Sequence, residues 1–211
     1  MFRILDVVGD GKCEVRDVAS LDAVVPLAAG HWRWLDCTGA SAAELSMLQE
    51  RFGFHPVTIE DCATYDPRPK FEPYDDYLFI VIHSLRPASD HSQLLEAREL
   101  HGFLGANYVV TVHDDPLDCI EQTWRRLTFE PTLAKRGPAY AYYMLADVAL
   151  SAVFPWNRAA PRAHREHRGR DVRCAEPDLD CRSLSIAASA HFDSSRALAA
   201  AGGVLCNSQI R

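Results

Sequence analysis

No run in this 211-residue chain approaches the roughly 18 consecutive apolar residues of a membrane span, so the sequence as it stands is not expected to cross a bilayer. No C-x-x-C pair occurs. The seven cysteines, an odd number, are scattered, and without a leader-like segment at the start they read as reduced cytosolic thiols. The chain has no G-x-S-x-G, no phosphate-binding P-loop and no G-x-G-x-x-G behind a strand. The common signatures of hydrolases, nucleotide enzymes and dinucleotide enzymes are therefore missing, and an enzyme is not expected. Basic charge is also short. A net charge of −7 argues against a nucleic-acid partner.

Residues 156–211 contain no lysine. Residues 1–155 hold 13 Lys and Arg against 23 Asp and Glu, whereas residues 156–211 hold 9 Arg and 6 acids. The first part is acidic and the second basic, with the change just after Phe154-Pro155. We therefore divide the chain into a folded domain over 1–155 and an atypical tail over 156–211. The tail is rich in Arg, Ala, Cys and Ser and carries no sustained apolar stripe. It has too little patterned apolar surface to offset its ordering entropy, so poor order is expected, as for a shifted reading frame or a divergent extension.

What is present is a chain 48% hydrophobic and 24% charged, enough for one core of ordinary size. Phe2–Val8 and Cys13–Val18 read as strands joined by the hairpin chemistry of Gly9-Asp10-Gly11-Lys12. Trp32–Cys37 reads as a third strand. Ser41 and Glu44 fit a capping box at the start of a helix, with Leu45, Leu48 and Phe52 as its inner stripe. Glu99–Leu104 and Tyr108–His113 read as a hairpin around Gly105-Ala106-Asn107. Asp115-Pro116 has the chemistry of a helix start, with Leu117, Ile120, Trp124 and Leu127 as the buried face. Ala139–Phe154 reads as a helix apolar on most sides, with Asp147 as its only charge.

The densest stretch is Phe52–His83. Gly53 can take the left-handed turn that ends a helix, and Pro56 suits the first position of a new one. That short helix carries Glu60 and Asp61 side by side. Pro67 and Pro69 then force an extended segment. Tyr77–Ile82 is apolar without alternation, as in a strand buried on both faces.

In order, F-G-F-H-P, I-E-D, R-P-K-F-E and Y-D-D-Y-L-F-I-V resemble the cytoplasmic domain of the CorA family of magnesium and cobalt transporters. The early Trp34-Leu35-Asp36 strand and the helix around Asp147 are similar to further pieces of that family. The resemblance implies an α/β fold, a mixed β-sheet flanked by helices as an αβα sandwich, with the tail outside it. It also implies a domain that senses divalent cations and gates a pore, the stalk, membrane spans and Gly-Met-Asn motif being absent from this chain. Glu60 and Asp61 correspond to acids that hold a regulatory Mg²⁺ between subunits, with Co²⁺ as a second possible ion. Asp147 corresponds to an auxiliary ion position. The full-length parent would be a homo-pentamer of the inner membrane. This chain alone would be a soluble cytoplasmic monomer or weak oligomer. The alternatives are a stand-alone binding module that associates with transporter subunits, and a zinc-transporting member of the same superfamily.

Hard cations take oxygen ligands and bind through one or two carboxylates while keeping several waters, which suits Glu60 and Asp61. The bland reading of those acids is a solvated helix surface, and of Asp147 a salt bridge or hydrogen bond. Asp75-Asp76 reads as a strand-entry turn and Asp114-Asp115 as a helix cap. His55, His83, His101 and His113 are expected in separate strands and turns, not at ligand spacing. His164, His167, Cys174 and Cys181 in the tail are a weak zinc pattern. Cys62 reads as a structural thiol rather than a nucleophile paired with His55.

Overall fold

The computed structural model describes residues 2–24, 26–64, 68–87 and 95–151. The tail and its His and Cys residues lie outside the described residues. Seven strands form one mixed sheet in the order β2-β1-β3-β7-β6-β5-β4. These are β1 (Phe2–Val7), β2 (Cys13–Val18), β3 (Trp32–Thr38), β4 (Lys70–Pro73), β5 (Tyr77–Pro87), β6 (Leu95–Gly105) and β7 (Tyr108–His113). Only the central β3–β7 pair is parallel. A parallel pair needs a long crossover, and the whole segment from α1 to β6 fills it.

Local chemistry sets most element ends. The helix α1 (Ala42–Phe52) starts at a complete capping box between Ser41 and Glu44 and closes on Gly53 at φ 69°. The next helix, α2 (Pro56–Ala63), begins with Pro56 and is capped by the His55 ring, which accepts from the Val57 amide. Past the sheet come α3 (Asp118–Phe129), α4 (Pro131–Ala134) and α5 (Pro138–Ser151).

Two core layers lie on the two faces of the sheet. Leu45 and Leu48 of α1 and Ile59 of α2 pack on one face with Phe54, Phe79, Val81 and Phe103. Ile120, Trp124 and Leu127 of α3 and Ala141, Tyr142 and Leu145 of α5 pack on the other with Trp34, Leu100 and Leu104. The expected αβα sandwich is therefore present. Strand alternation assigns each side chain to one layer, so α2 and α5 are separated by the thickness of the sheet.

The expected start of α3 is corrected. The helix begins at Asp118 with Leu117 as its cap residue and no side-chain cap bond. Asp115 is used elsewhere: its carbonyl accepts from His113 Nδ1 at 2.7 Å and its carboxylate pairs with Arg98 at 3.2 Å. The Pro-rich run after α2 does more than extend the chain, since Lys70–Pro73 forms the edge strand β4 against β5.

Candidate cation site

The two acids of α2 are adjacent in sequence, and a helix turns about 100° per residue, so they point differently. Glu60 is exposed. Asp61 turns toward the β4 edge, where Lys70 Nζ meets its Oδ2 at 2.8 Å, with the side chains 22% and 15% exposed. A carboxylate already neutralised by an ammonium group is a weaker cation ligand. Glu60 is thus the carboxylate open to solution, and Asp61 joins it only if Lys70 yields.

Asp147 is exposed on α5. Because α5 lies on the opposite face of the sheet, the structure does not bring Asp147 together with Glu60 and Asp61. An ion held by both groups would have to lie between two copies of the chain. Among the described residues no three His, Cys, Asp or Glu side chains converge as a metal centre.

A second polar group lies on the same face as α2. His83 of β5 is directly opposite Glu99 of β6, and His101 follows two residues on, on the same side of the strand. His83 Nε2 is 3.7 Å and His101 Nε2 3.4 Å from the two oxygens of Glu99. Burial pushes the His101 ring down to about 4. Sequence reasoning passed over this trio because the histidines are far apart in the chain. The one local signal was the alternation in Glu99-Leu100-His101, which sets Glu99 and His101 on one face of a strand.

A third group ties the sheet centre together. The Asp36 carboxylate, 2% exposed, accepts from Thr111 Oγ1 at 2.6 Å and pairs with Arg3 at 3.1 Å and with His113 Nε2 at 3.0 Å. His113 Nδ1 faces a carbonyl and Nε2 a carboxylate, both acceptors, an arrangement that favours the protonated ring. Burial alone would lower its pKa. The hydrogen bond and charge of Asp36 outweigh burial and raise it above 6.5. This network is structural, joining β1, β3 and β7.

A cavity of about 100 Å³ opens at the end of α2, lined by Cys62, Thr64, Glu99, His101, His113 and Asp114 among others. Burial pushes the Cys62 thiol far up, so it is a neutral thiol and no nucleophile. Its expected partner His55 is used as the α2 cap.

The fold defines a class: an α/β domain with helices on both faces of one mixed seven-stranded sheet. The solved soluble domain of CorA from Methanocaldococcus jannaschii superposes with a TM-score of 0.55 at 16% identity, covering 77% of this chain and 62% of that one. The full-length CmaX protein gives 0.63 at 16% identity, with 88% and 57% covered. The ZntB cytoplasmic domain from Vibrio parahaemolyticus gives 0.61 at 11%, with 78% and 64% covered. At these identities the likeness is one of fold.

The family itself is shown by sequence. The model of the CorA-like Mg²⁺ transporter protein family matches residues 29–163, more than half of the chain, and the chain belongs to that family. A Bacillus subtilis (strain 168) protein named "Putative metal ion transporter YfjQ" is 37% identical over 124 residues, 59% of this chain and 37% of that protein. The cobalt/magnesium transport protein CorA of Thermotoga maritima is 25% identical over 123 residues, 57% of this chain and 35% of that protein. The chain thus spans little more than a third of the length of these relatives. No helix among the described residues is long and apolar enough to cross a membrane.

Proposed function

We propose that this chain is the cytoplasmic, cation-sensing part of a CorA-like divalent-cation transporter, and that permeation belongs to membrane segments outside the described residues. The observation that carries the reading is the family match across α2, together with the exposure of Glu60 on that helix. Mg²⁺ is the regulatory ion and Co²⁺ a second. Glu60 supplies the accessible carboxylate. Asp61 supplies the other once the ion competes with Lys70. One helix offers half a coordination shell, so affinity in the isolated chain is weak. In the parent, a homo-pentamer of the inner membrane, a neighbouring subunit completes the shell.

The chemistry is electrostatic. Carboxylates crowded at a subunit boundary repel one another, and a divalent ion between them removes that repulsion and holds subunits together. Losing the ion frees them. Asp147, on the far layer, is the auxiliary position for an ion shared with another copy. The test is limited proteolysis of the purified chain with and without millimolar Mg²⁺ or Co²⁺. Either ion is expected to slow cleavage around α2, and Glu60→Gln/Asp61→Asn to abolish the protection. Equal protection in that double variant would end the sensing role.

A further inference from the structure

Strand β2 (Cys13–Val18) ends the sheet on the side away from β4, and among the described residues no strand pairs with its outer edge. We propose that this edge is an interface for a second copy of the chain, which pairs with it antiparallel about a twofold axis at Val15. The contact lies at the opposite end of the sheet from the Asp61–Lys70 pair and does not depend on the sensing role of α2.

The backbone decides which residues face outward. Val8 donates its amide to the Lys12 carbonyl at 2.9 Å. The β1–β2 ladder continues from there in antiparallel register, with Asp6 opposite Glu14 and Ile4 opposite Arg16. Hydrogen-bonded pairs alternate along such a ladder. Glu14 and Arg16 therefore turn their amides and carbonyls toward β1, while those of Cys13, Val15 and Asp17 point away from the sheet. These residues are spaced evenly about Val15, so the outward set is complementary to itself. Across a twofold axis Val15 meets its own counterpart, and Cys13 of each copy meets Asp17 of the other. Each outward amide and carbonyl then has a backbone partner.

Side-chain charge selects this register. Charged residues on an exposed edge generally protect it from association, and Glu14, Arg16 and Asp17 do so in most alignments. With Val15 on the axis, however, Glu14 of each copy faces Arg16 of the other. They occupy the non-hydrogen-bonded positions, where Cα atoms approach to about 4.5 Å. Moving the axis by one residue sets Glu14 on Glu14 or Arg16 on Arg16, and like charges directly opposite are destabilising. The pairing also relieves a local imbalance. Within one chain Glu14 stands opposite another acid, Asp6, and its ion pair with Lys12 is long, at 3.7 Å. Arg16 pairs with Asp6 and is still 40% exposed, so its guanidinium fork can serve an acid of the second copy as well. On the other side of the ribbon Val15, 48% exposed in the single chain, packs against its counterpart. An edge contact of this length is small, so the dimer belongs to the weak, transient class. Being twofold, it closes on itself.

The test uses the full chain in sedimentation velocity over a concentration series, once with millimolar Mg²⁺ and once with EDTA. A reversible monomer–dimer equilibrium is expected, equal in both buffers and unchanged in Glu60→Gln. Val15→Pro removes an outward amide and leaves the bonds to β1 in place, since proline is accepted on an edge strand. It should stay monomeric where the wild type is dimeric, with the circular dichroism unchanged. Glu14→Arg and Arg16→Glu each turn two attractive cross-strand pairs repulsive and should weaken the dimer about tenfold. Glu14→Arg/Arg16→Glu should restore it. The charge variants decide the matter if Val15→Pro does not fold. The proposal is overturned if the wild type stays monomeric or grows beyond a dimer, if folded Val15→Pro or the single charge variants associate like wild type, or if the double exchange fails to restore the dimer.

Discussion

The His113 imidazole donates to the Asp36 carboxylate from β7 to β3, with Nε2 and Oδ1 3.0 Å apart and both side chains 2% exposed. The pair crosses the parallel seam of an otherwise antiparallel sheet. Arg3 of β1 reaches the same carboxylate and also Glu121 of α3 at 2.7 Å. One buried acid thereby joins three strands, and through Arg3 a helix of one layer.

This pair makes stability depend on pH. The folded pKa of His113 is raised above its ordinary 6.5. Its contribution is therefore complete below about pH 6.5 and is lost as pH rises through the folded value. Urea midpoints should fall from pH 6.5 upward, before the buried thiols titrate from above 9.0. In His113→Gln the midpoint should be lower at pH 6 and that part of the slope should vanish. An unchanged slope in the variant would mean that the ring is neutral in the folded chain.

Lys70 restrains Asp61. In Lys70→Met the Asp61 carboxylate loses its cation and remains partly buried, 15% exposed. Stability without divalent ions should fall by about 1–3 kcal/mol. Mg²⁺ should bind several-fold more tightly, because both carboxylates of α2 are then available. Calorimetric titration checks the affinity and urea unfolding the stability. An affinity equal to wild type would show that Asp61 is no ligand.

Tyr142 packs its ring in the α5 layer, 1% exposed, and among the described residues its hydroxyl has no hydrogen-bond partner. Removing an unsatisfied buried hydroxyl relieves a desolvation cost of about 1–3 kcal/mol. Tyr142→Phe should therefore match or exceed wild-type stability, in contrast to most core substitutions. Thermal unfolding checks it; a clear loss would mean that the hydroxyl is satisfied in solution.

The same ring explains a glycine. A Cβ at Gly102 would lie 2.3 Å from the Tyr142 ring. Gly102→Ala should destabilise by about 1–3 kcal/mol through overpacking. Part of that loss should return in Gly102→Ala/Tyr142→Leu, which shortens the opposing side chain. No recovery in the double variant would point to the backbone rather than the ring.

Much of the fold could be read from local chemistry. The Ser41–Glu44 box, Gly53, Pro56 and the Gly105–Asn107 hairpin each determine an element end within a few residues. Asp115-Pro116 misled because the Asp115 carboxylate, which could have capped a helix, pairs instead with the distant Arg98 of β6. Glu60 and Asp61 were legible as a pair. Their unequal exposure was not, since Lys70 reaches Asp61 only when β4 docks on the sheet edge. The His83–Glu99–His101 group depends on the register of β5 against β6. That is a tertiary fact, of which the sequence carries only the alternation of Glu99 and His101.

If α2 receives a divalent cation through Glu60, a Mg²⁺ titration of the ¹⁵N-labelled chain followed by amide chemical shifts will give saturable, weak shifts confined to residues 57–63 and their β4 neighbours, lost in Glu60→Gln. Shifts absent from α2, or unchanged by Glu60→Gln, would contradict that binding.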